Sequence, residues 1–224
     1  MKNPSLLLTR PCEDSRAFMK NLRGKGWTIY VQPLLKISPV HFDKNCIPEF
    51  PHIILTSQHA VTQCAPYIAP NQTLWCVGEK TAQVCRAKGF HNIPTGAGTA
   101  EDLYHMILKM NVKGEFLHVS GKDVTVDFSN SSGISCKRLV VYETEPVTCL
   151  RPRIVQAFQK NRISHVMLFS QKTASVLHSH VQLPPEVMLL VLSEEIASEF
   201  PNNPFKIIKS EGDILSLQRS VEEA

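Results

Sequence analysis

The chain has 224 residues, 43% hydrophobic and 20% charged, which is length enough to bury one large core or two small ones. Its formal charge of +4 is mild: it suits a polyanionic small molecule but, with no Lys/Arg-rich run or aromatic-basic stripe, is too weak to argue for nucleic acid, and no stretch reaches the roughly 18 apolar residues of a membrane span. Seven cysteines without a Cys-x-x-Cys pair and nine scattered histidines argue for buried thiols acting as small hydrophobes, and against a metal site.

The opening run Leu6-Leu7-Leu8 is too short for a signal-peptide core and lacks a cleavage site, so a cytoplasmic protein is expected. Leu6 to Thr9 reads as a strand, Glu13 to Leu22 as a helix ended by Gly24 and Gly26, and Trp27 to Val31 as the next strand. Pro33, Pro39, Pro48 and Pro51 then rule out regular helix and mark a crossing linker. Beyond it, strands are predicted at Ile53 to Thr56, Leu74 to Val77, Phe116 to Val119 and Leu139 to Val141. Helices lie between them: Ser57 caps one through Gln63, another spans Lys80 to Lys88, and Thr99 caps a third from Glu101 to Met110. The final third predicts strands at Val166 to Phe169, Val187 to Leu192 and Phe205 to Ile208. Its helices are Ile154 to Gln159, Ala174 to His180, Glu194 to Phe200 and Ile214 to Val221. Strands alternating with helices in this way indicate parallel α/β architecture.

The units repeat. Leu55-Thr56-Ser57-Gln58 matches Leu168-Phe169-Ser170-Gln171, and Val77-Gly78-Glu79-Lys80-Thr81-Ala82 matches Leu192-Ser193-Glu194-Glu195-Ile196-Ala197. Ile29-Tyr30 with Pro33 likewise matches Val141-Tyr142 with Pro146, and the three offsets are 113, 115 and 112 residues. The matched positions fall where strands end and helices begin, the edge at which open α/β sheets bind ligands. Helix N-termini there present unpaired N–H groups and partial positive charge, suited to anions.

No Gly-x-Gly-x-x-Gly follows a strand, and neither a Walker loop nor a Gly-x-Ser-x-Gly elbow occurs, so dinucleotide, nucleoside triphosphate and serine-hydrolase chemistries lose their support. What the loop tips carry instead is hydroxyl, amide and basic groups: Thr9-Arg10, Ser57-Gln58-His59, Thr81, Ser120-Gly121-Lys122, Tyr142 and Ser170-Gln171-Lys172. That series, with Thr9-Arg10-Pro11, Thr56-Ser57, Val77-Gly78-Glu79-Lys80-Thr81-Ala82, Val141-Tyr142-Glu143-Thr144-Glu145-Pro146 and Phe169-Ser170 in order, resembles the uroporphyrinogen-III synthase family over essentially the whole chain.

The resemblance implies two similar parallel-sheet α/β domains joined by a two-stranded crossover linker, with a ligand cleft between them. One domain would comprise residues 1–35 and 147–224, the other 36–146. It further implies closure of linear hydroxymethylbilane, an octacarboxylate, to uroporphyrinogen III with loss of water and inversion of ring D through a spiro intermediate. The expected protein is a monomer with no cofactor, metal, nucleic-acid or membrane partner. Tyr142 is the candidate catalytic acid, or else a half-buried crossover tyrosine. Thr81, Ser57 and Ser170, with Gln58, Gln171 and Gly121, are candidate carboxylate binders, the hydroxyls serving equally well as ordinary helix caps. Arg10 and Lys172 are candidate carboxylate partners or solvated loop charges.

The chain departs from the family pattern in places. Ser120-Gly121 stands where the family often has Arg-Gly, Val124 or Thr125 where an arginine follows, and Ile196 where the second turn carries threonine. A catalytically inactive ligand-binding or regulatory protein on the same scaffold is therefore the alternative.

Overall fold

Wherever the strand runs are apolar at every position, the computed structural model buries them on both faces. It describes residues 3–10, 15, 19, 20, 22, 24–184 and 186–200, and the backbone of 207–209. The expected helix from Glu13 to Leu22 falls mostly outside the described residues, as do Pro11, Phe205 and the whole expected helix from Ile214 to Val221.

The chain divides into two units, Met1–Lys36 with Pro146–Ala224, and Ile37–Glu145. The first holds strands β1 (Ser5–Leu8), β2 (Thr28–Val31), β8 (His165–Leu168), β9 (Met188–Val191) and β10 (Ile207–Lys209), in the order β10-β9-β8-β1-β2 and parallel throughout. The second sheet runs β3-β7-β6-β4-β5, from β3 (Leu35–Pro39), β4 (His52–Leu55), β5 (Thr73–Cys76), β6 (Glu115–Gly121) and β7 (Ser135–Pro146). Here β7, β6, β4 and β5 are parallel neighbours. Helices α1 (Gln58–Cys64), α2 (Glu79–Ala87) and α3 (Ala100–Lys109) belong to this middle unit. The outer unit contributes α4 (Pro152–Gln159), α5 (Gln171–His180) and the single turn α6 (Glu194–Ala197).

Side chains alternate across each sheet, so each sheet builds two cores. Ile53, Leu55, Leu74, Cys76, Leu117 and Val119 pack on one face of the middle sheet, while Ile54, Trp75 and Phe116 pack with Leu103 and Ile107 of α3 on the other. In the outer unit Leu7, Val166, Leu168, Leu189 and Val191 share one face, and Leu6, Leu8, Met167 and Leu190 the opposite one. Each such side chain, once fully buried, stabilises the fold by roughly 1.5–3 kcal/mol. The repeat carries into the strand order: β9-β8-β1-β2 corresponds to β5-β4-β6-β7, with β4, β5 and β7 taking the places of β8, β9 and β2.

Two elements differ from expectation. The proline-rich linker contains a strand, β3, bounded by Pro33 and Pro39, and prolines are tolerated there because β3 lies at the sheet edge. Beside it β7 extends over twelve residues rather than three, Ser38 meeting Glu145 while Val40 N–H donates to the carbonyl of Val141. Among the cysteines, Cys64, Cys76 and Cys85 are buried thiols as expected, and Cys149 is exposed. Among the described residues no helix is long and apolar enough to cross a membrane, and no three His, Cys, Asp or Glu side chains gather to hold a metal.

Candidate active site in the middle unit

The parallel strands of the middle sheet all end at one edge, and the chain turns there into three helices. Ser57, extended at φ −148°, ψ 140°, caps α1 by accepting from the N–H of His59 at 3.1 Å. Gly78 precedes α2 without a side-chain cap, because a Cβ at that position would meet the Cα of Gly98 at 3.2 Å. Thr99 closes a capping box with Asp102, accepting from its N–H at 3.0 Å. The starts of α1 and α3 border a cavity of about 440 Å³ whose wall includes Thr56, Ser57, Thr99, Gly121, Asp123 and Tyr142, together with Glu101 and the Val124–Val126 stretch.

Tyr142 is placed by a backbone irregularity. Along β6 and β7, Ser120 pairs with Val140 but Gly121 pairs with Tyr142, so Val141 is an extra residue in β7. Such a bulge re-aims the side chain that follows it. As a result Val141 and Tyr142, though consecutive, pack into the same core. The Tyr142 ring lies directly on Gly121: a Cβ there would sit 2.6 Å from Cζ and 2.9 Å from the phenol oxygen. His59 meets the ring edge to face, centroids 5.9 Å apart.

The end of β6 is held from the neighbouring strand. Arg138 of β7 donates from Nε to Ser120 Oγ at 3.0 Å, from one terminal nitrogen to Asp127 at 3.0 Å, and from the other to the carbonyls of Gly121 and Lys122 at 2.8 and 2.7 Å. The guanidinium fork is thereby spent on the backbone that carries Gly121. Burial pushes the Asp127 carboxyl up, but hydrogen bonds from Ser129 and Arg138 outweigh it and hold the group below its ordinary value. The charged side chains in the cavity wall itself, Glu101 and Asp123, are both acidic. Nearby, Lys122 pairs with Glu143 at 3.1 Å.

Of the residues singled out in the sequence, Ser57, Gly121 and Tyr142 come together around this cavity. Gln58 opens α1, its carbonyl accepting from the Thr62 hydroxyl at 3.1 Å. Thr81 is buried in the first turn of α2, its N–H donating to the carbonyl of Gly78 at 3.1 Å, and it does not appear in the described cavity lining. The remaining candidates stand at the matching strand ends of the outer unit. Ser170 caps α5 in a box with Thr173, Gln171 and Lys172 follow it exposed, and the Arg10 guanidinium lies 4.1 Å over the Phe169 ring. Thr56, Thr99, Glu101, Asp123 and Arg138 were not anticipated as site residues; only Thr99, through its capping pattern, announced the loop end it occupies.

In solved structures, the chain is similar to a uroporphyrinogen-III synthetase from Helicobacter pylori, with TM-score 0.65, 14% identity and 99% of each chain covered. It is also similar to a mutant uroporphyrinogen III synthase from the extremely thermophilic bacterium Thermus thermophilus, with TM-score 0.52, 14% identity and 98% of each chain covered. At such identities the likeness is one of fold: two-domain, mixed α/β with parallel sheets. An uncharacterized protein of Rickettsia prowazekii is 25% identical over 160 residues, 70% of this chain, and the match spans only 56% of that relative's length. The family model for uroporphyrinogen-III synthase HemD matches residues 16–211, so the chain belongs to the uroporphyrinogen-III synthase family.

Proposed function

We propose that the chain closes linear hydroxymethylbilane to uroporphyrinogen III, losing water and inverting ring D. The observation that carries this reading is the placement of Tyr142, laid on Gly121 by a bulge and set in the wall of a cavity bordered by the starts of α1 and α3. Departure of the bilane hydroxyl leaves a cation delocalised over the substrate's own pyrrole, so strong acid–base groups are not required. The protein's work is positional: ring D must attack through its substituted carbon to form the spiro intermediate. The Tyr142 phenol is an O–H donor that can hydrogen-bond to the departing hydroxyl. Within the middle unit, Ser57 and the first N–H groups of α3 would hold substrate carboxylates. On this reading the enzyme is a cytoplasmic monomer acting on a small molecule without a cofactor.

A second reading has one observation in its favour. Glu101 and Asp123 give the cavity wall a charge that opposes an octacarboxylate. A catalytically inactive binder of a less anionic ligand fits that wall better. Freshly generated hydroxymethylbilane separates the two readings when the oxidised porphyrin isomers are resolved by chromatography. Isomer III above the buffer rate supports the synthase, whereas isomer I alone at the buffer rate rejects it. Tyr142→Phe should then slow isomer III formation roughly ten- to a hundredfold with the fold retained. An unchanged rate would leave Tyr142 a packing residue.

A further inference from the structure

Behind the cavity wall stands a histidine that the mechanism above does not use. His118 of β6 is fully buried, its ring edge-on to Phe128 at 5.0 Å. Its Nε2 lies 3.3 Å from the Oγ1 of Thr56, and its Nδ1 has no partner among the described residues. Thr56, the first residue beyond β4, lines the cavity.

The two neutral tautomers differ in what they leave unpaired. With the proton on Nδ1, a buried N–H has no acceptor, and Nε2 must take its hydrogen bond from the Thr56 hydroxyl. With the proton on Nε2, the donor is paired and only an acceptor lone pair is bare, which is the smaller penalty. The ring is held neutral in either case: burial lowers its pKa to about 4, with nearby Asp127 opposing that shift and Arg138 adding to it. Once Nε2–H donates to Oγ1, the hydroxyl proton of Thr56 has no acceptor among the described residues and is left for a group bound in the cavity that Thr56 lines.

We propose that His118 is a positioning residue, whose Nε2–H bond to Thr56 Oγ1 commits the Thr56 hydroxyl to donate to the substrate. The ligand group that such a donor fits is an oxygen acceptor, a carboxylate or the departing hydroxyl. No proton is transferred; the hydroxyl orients its partner in the cavity whose wall also carries Tyr142. The proposal rests on the synthase reading for its substrate, but not for its geometry.

Two measurements test it. Nitrogen-15 spectra of histidine-labelled protein at pH 7, assigned against His118→Gln, should show His118 with Nε2 protonated and Nδ1 bare. The reverse tautomer, or an average of both, overturns the assignment. In the isomer assay Thr56→Val should lower kcat about tenfold with little change in KM, the size expected for one lost hydrogen bond to a polar group. His118→Asn should match that loss, and His118→Gln, whose amide can reach the Nε2 position, should recover most of the rate. Thr56→Val combined with His118→Asn should be no slower than Thr56→Val alone. A wild-type rate in Thr56→Val, or multiplied losses in the double variant, overturns the proposal. If the wild-type protein makes no isomer III, the synthase reading falls, and the tautomer spectrum by itself upholds or overturns the His118–Thr56 pair.

Discussion

Gly121→Ala should destabilise the middle unit by about 3 kcal/mol, at the upper end of what one added methyl costs in a packed core. The new Cβ would stand 2.6 Å from Cζ of Tyr142, far inside van der Waals contact. Gly121 does not occupy the left-handed region, so alanine suits its backbone and the cost comes from the ring alone. The ring has little room to yield: it is 9% exposed, sits in the core that holds Val119 and Val141, and abuts His59. Urea unfolding followed through Trp75, in a Trp27→Phe background, reports on this unit, since Trp75 lies in its buried sheet. In a Tyr142→Ala background the same glycine substitution should cost less than about 1 kcal/mol, because its clash partner is gone. An equal cost in both backgrounds would place the strain in the strand rather than under the ring. Isomer III formation should fall at least as far in Gly121→Ala as in Tyr142→Phe, since a displaced ring also displaces its hydroxyl.

How much of this was legible beforehand depends on whether the signal was local. The runs Ile53–Leu55, Leu74–Cys76 and Leu189–Val191 announce buried parallel strands because both faces are covered and every position is apolar. Ser57, Thr99 and Ser170 announce helix starts because capping is a matter of neighbouring residues. β3 was hidden by its prolines, which break a helix but are harmless at a sheet edge. The start of β7, Ser135-Cys136-Lys137-Arg138, was hidden by its charges, although Arg138 is the residue that fastens the end of β6. No pattern along the chain ties residue 138 to residue 120; the register of two parallel strands does.

The site divides along the same line. Tyr142 and Gly121 were each singled out, but the bulge that sets one on the other is a property of the ladder. Thr81 shows the opposite case: its motif invites a ligand-binding role, while its place in the first turn of α2 buries it. Resemblance placed an arginine of the family where this chain has Ser120, and the structure brings the Arg138 guanidinium to that hydroxyl from the next strand. That guanidinium is committed to Asp127 and two carbonyls, so the cation present near position 120 is spent on holding the strand end. Its presence therefore does not offset the acidic wall formed by Glu101 and Asp123.

Acid should expose the buried histidine as a stability loss of about 2 kcal/mol between pH 6.5 and pH 4.5. His118 is protonated only near pH 4 in the folded protein, because burial penalises the imidazolium, whereas in the unfolded chain it takes its proton near its ordinary value of 6.5. Between those values the unfolded state binds more protons, so stability falls as the pH falls, by about 1.4 kcal/mol per unit. Asp127 acts in a separate window: held below its ordinary value, it contributes stability that is lost only below about pH 4. His165, lowered by burial in the outer unit, has the same sign as His118 and is kept apart by following Trp75. Unfolding free energies of His118→Gln should therefore start lower at pH 7 and stay nearly level to pH 4.5, while the wild-type curve descends to meet them. Parallel curves would show that His118 is not the group being charged. A descending wild-type curve and a level variant would tie the acid sensitivity of the unit to the same ring that holds Thr56: the added proton goes to the partnerless Nδ1, the Nε2–H bond to Thr56 stays in place, and the loss is that of burying a charge.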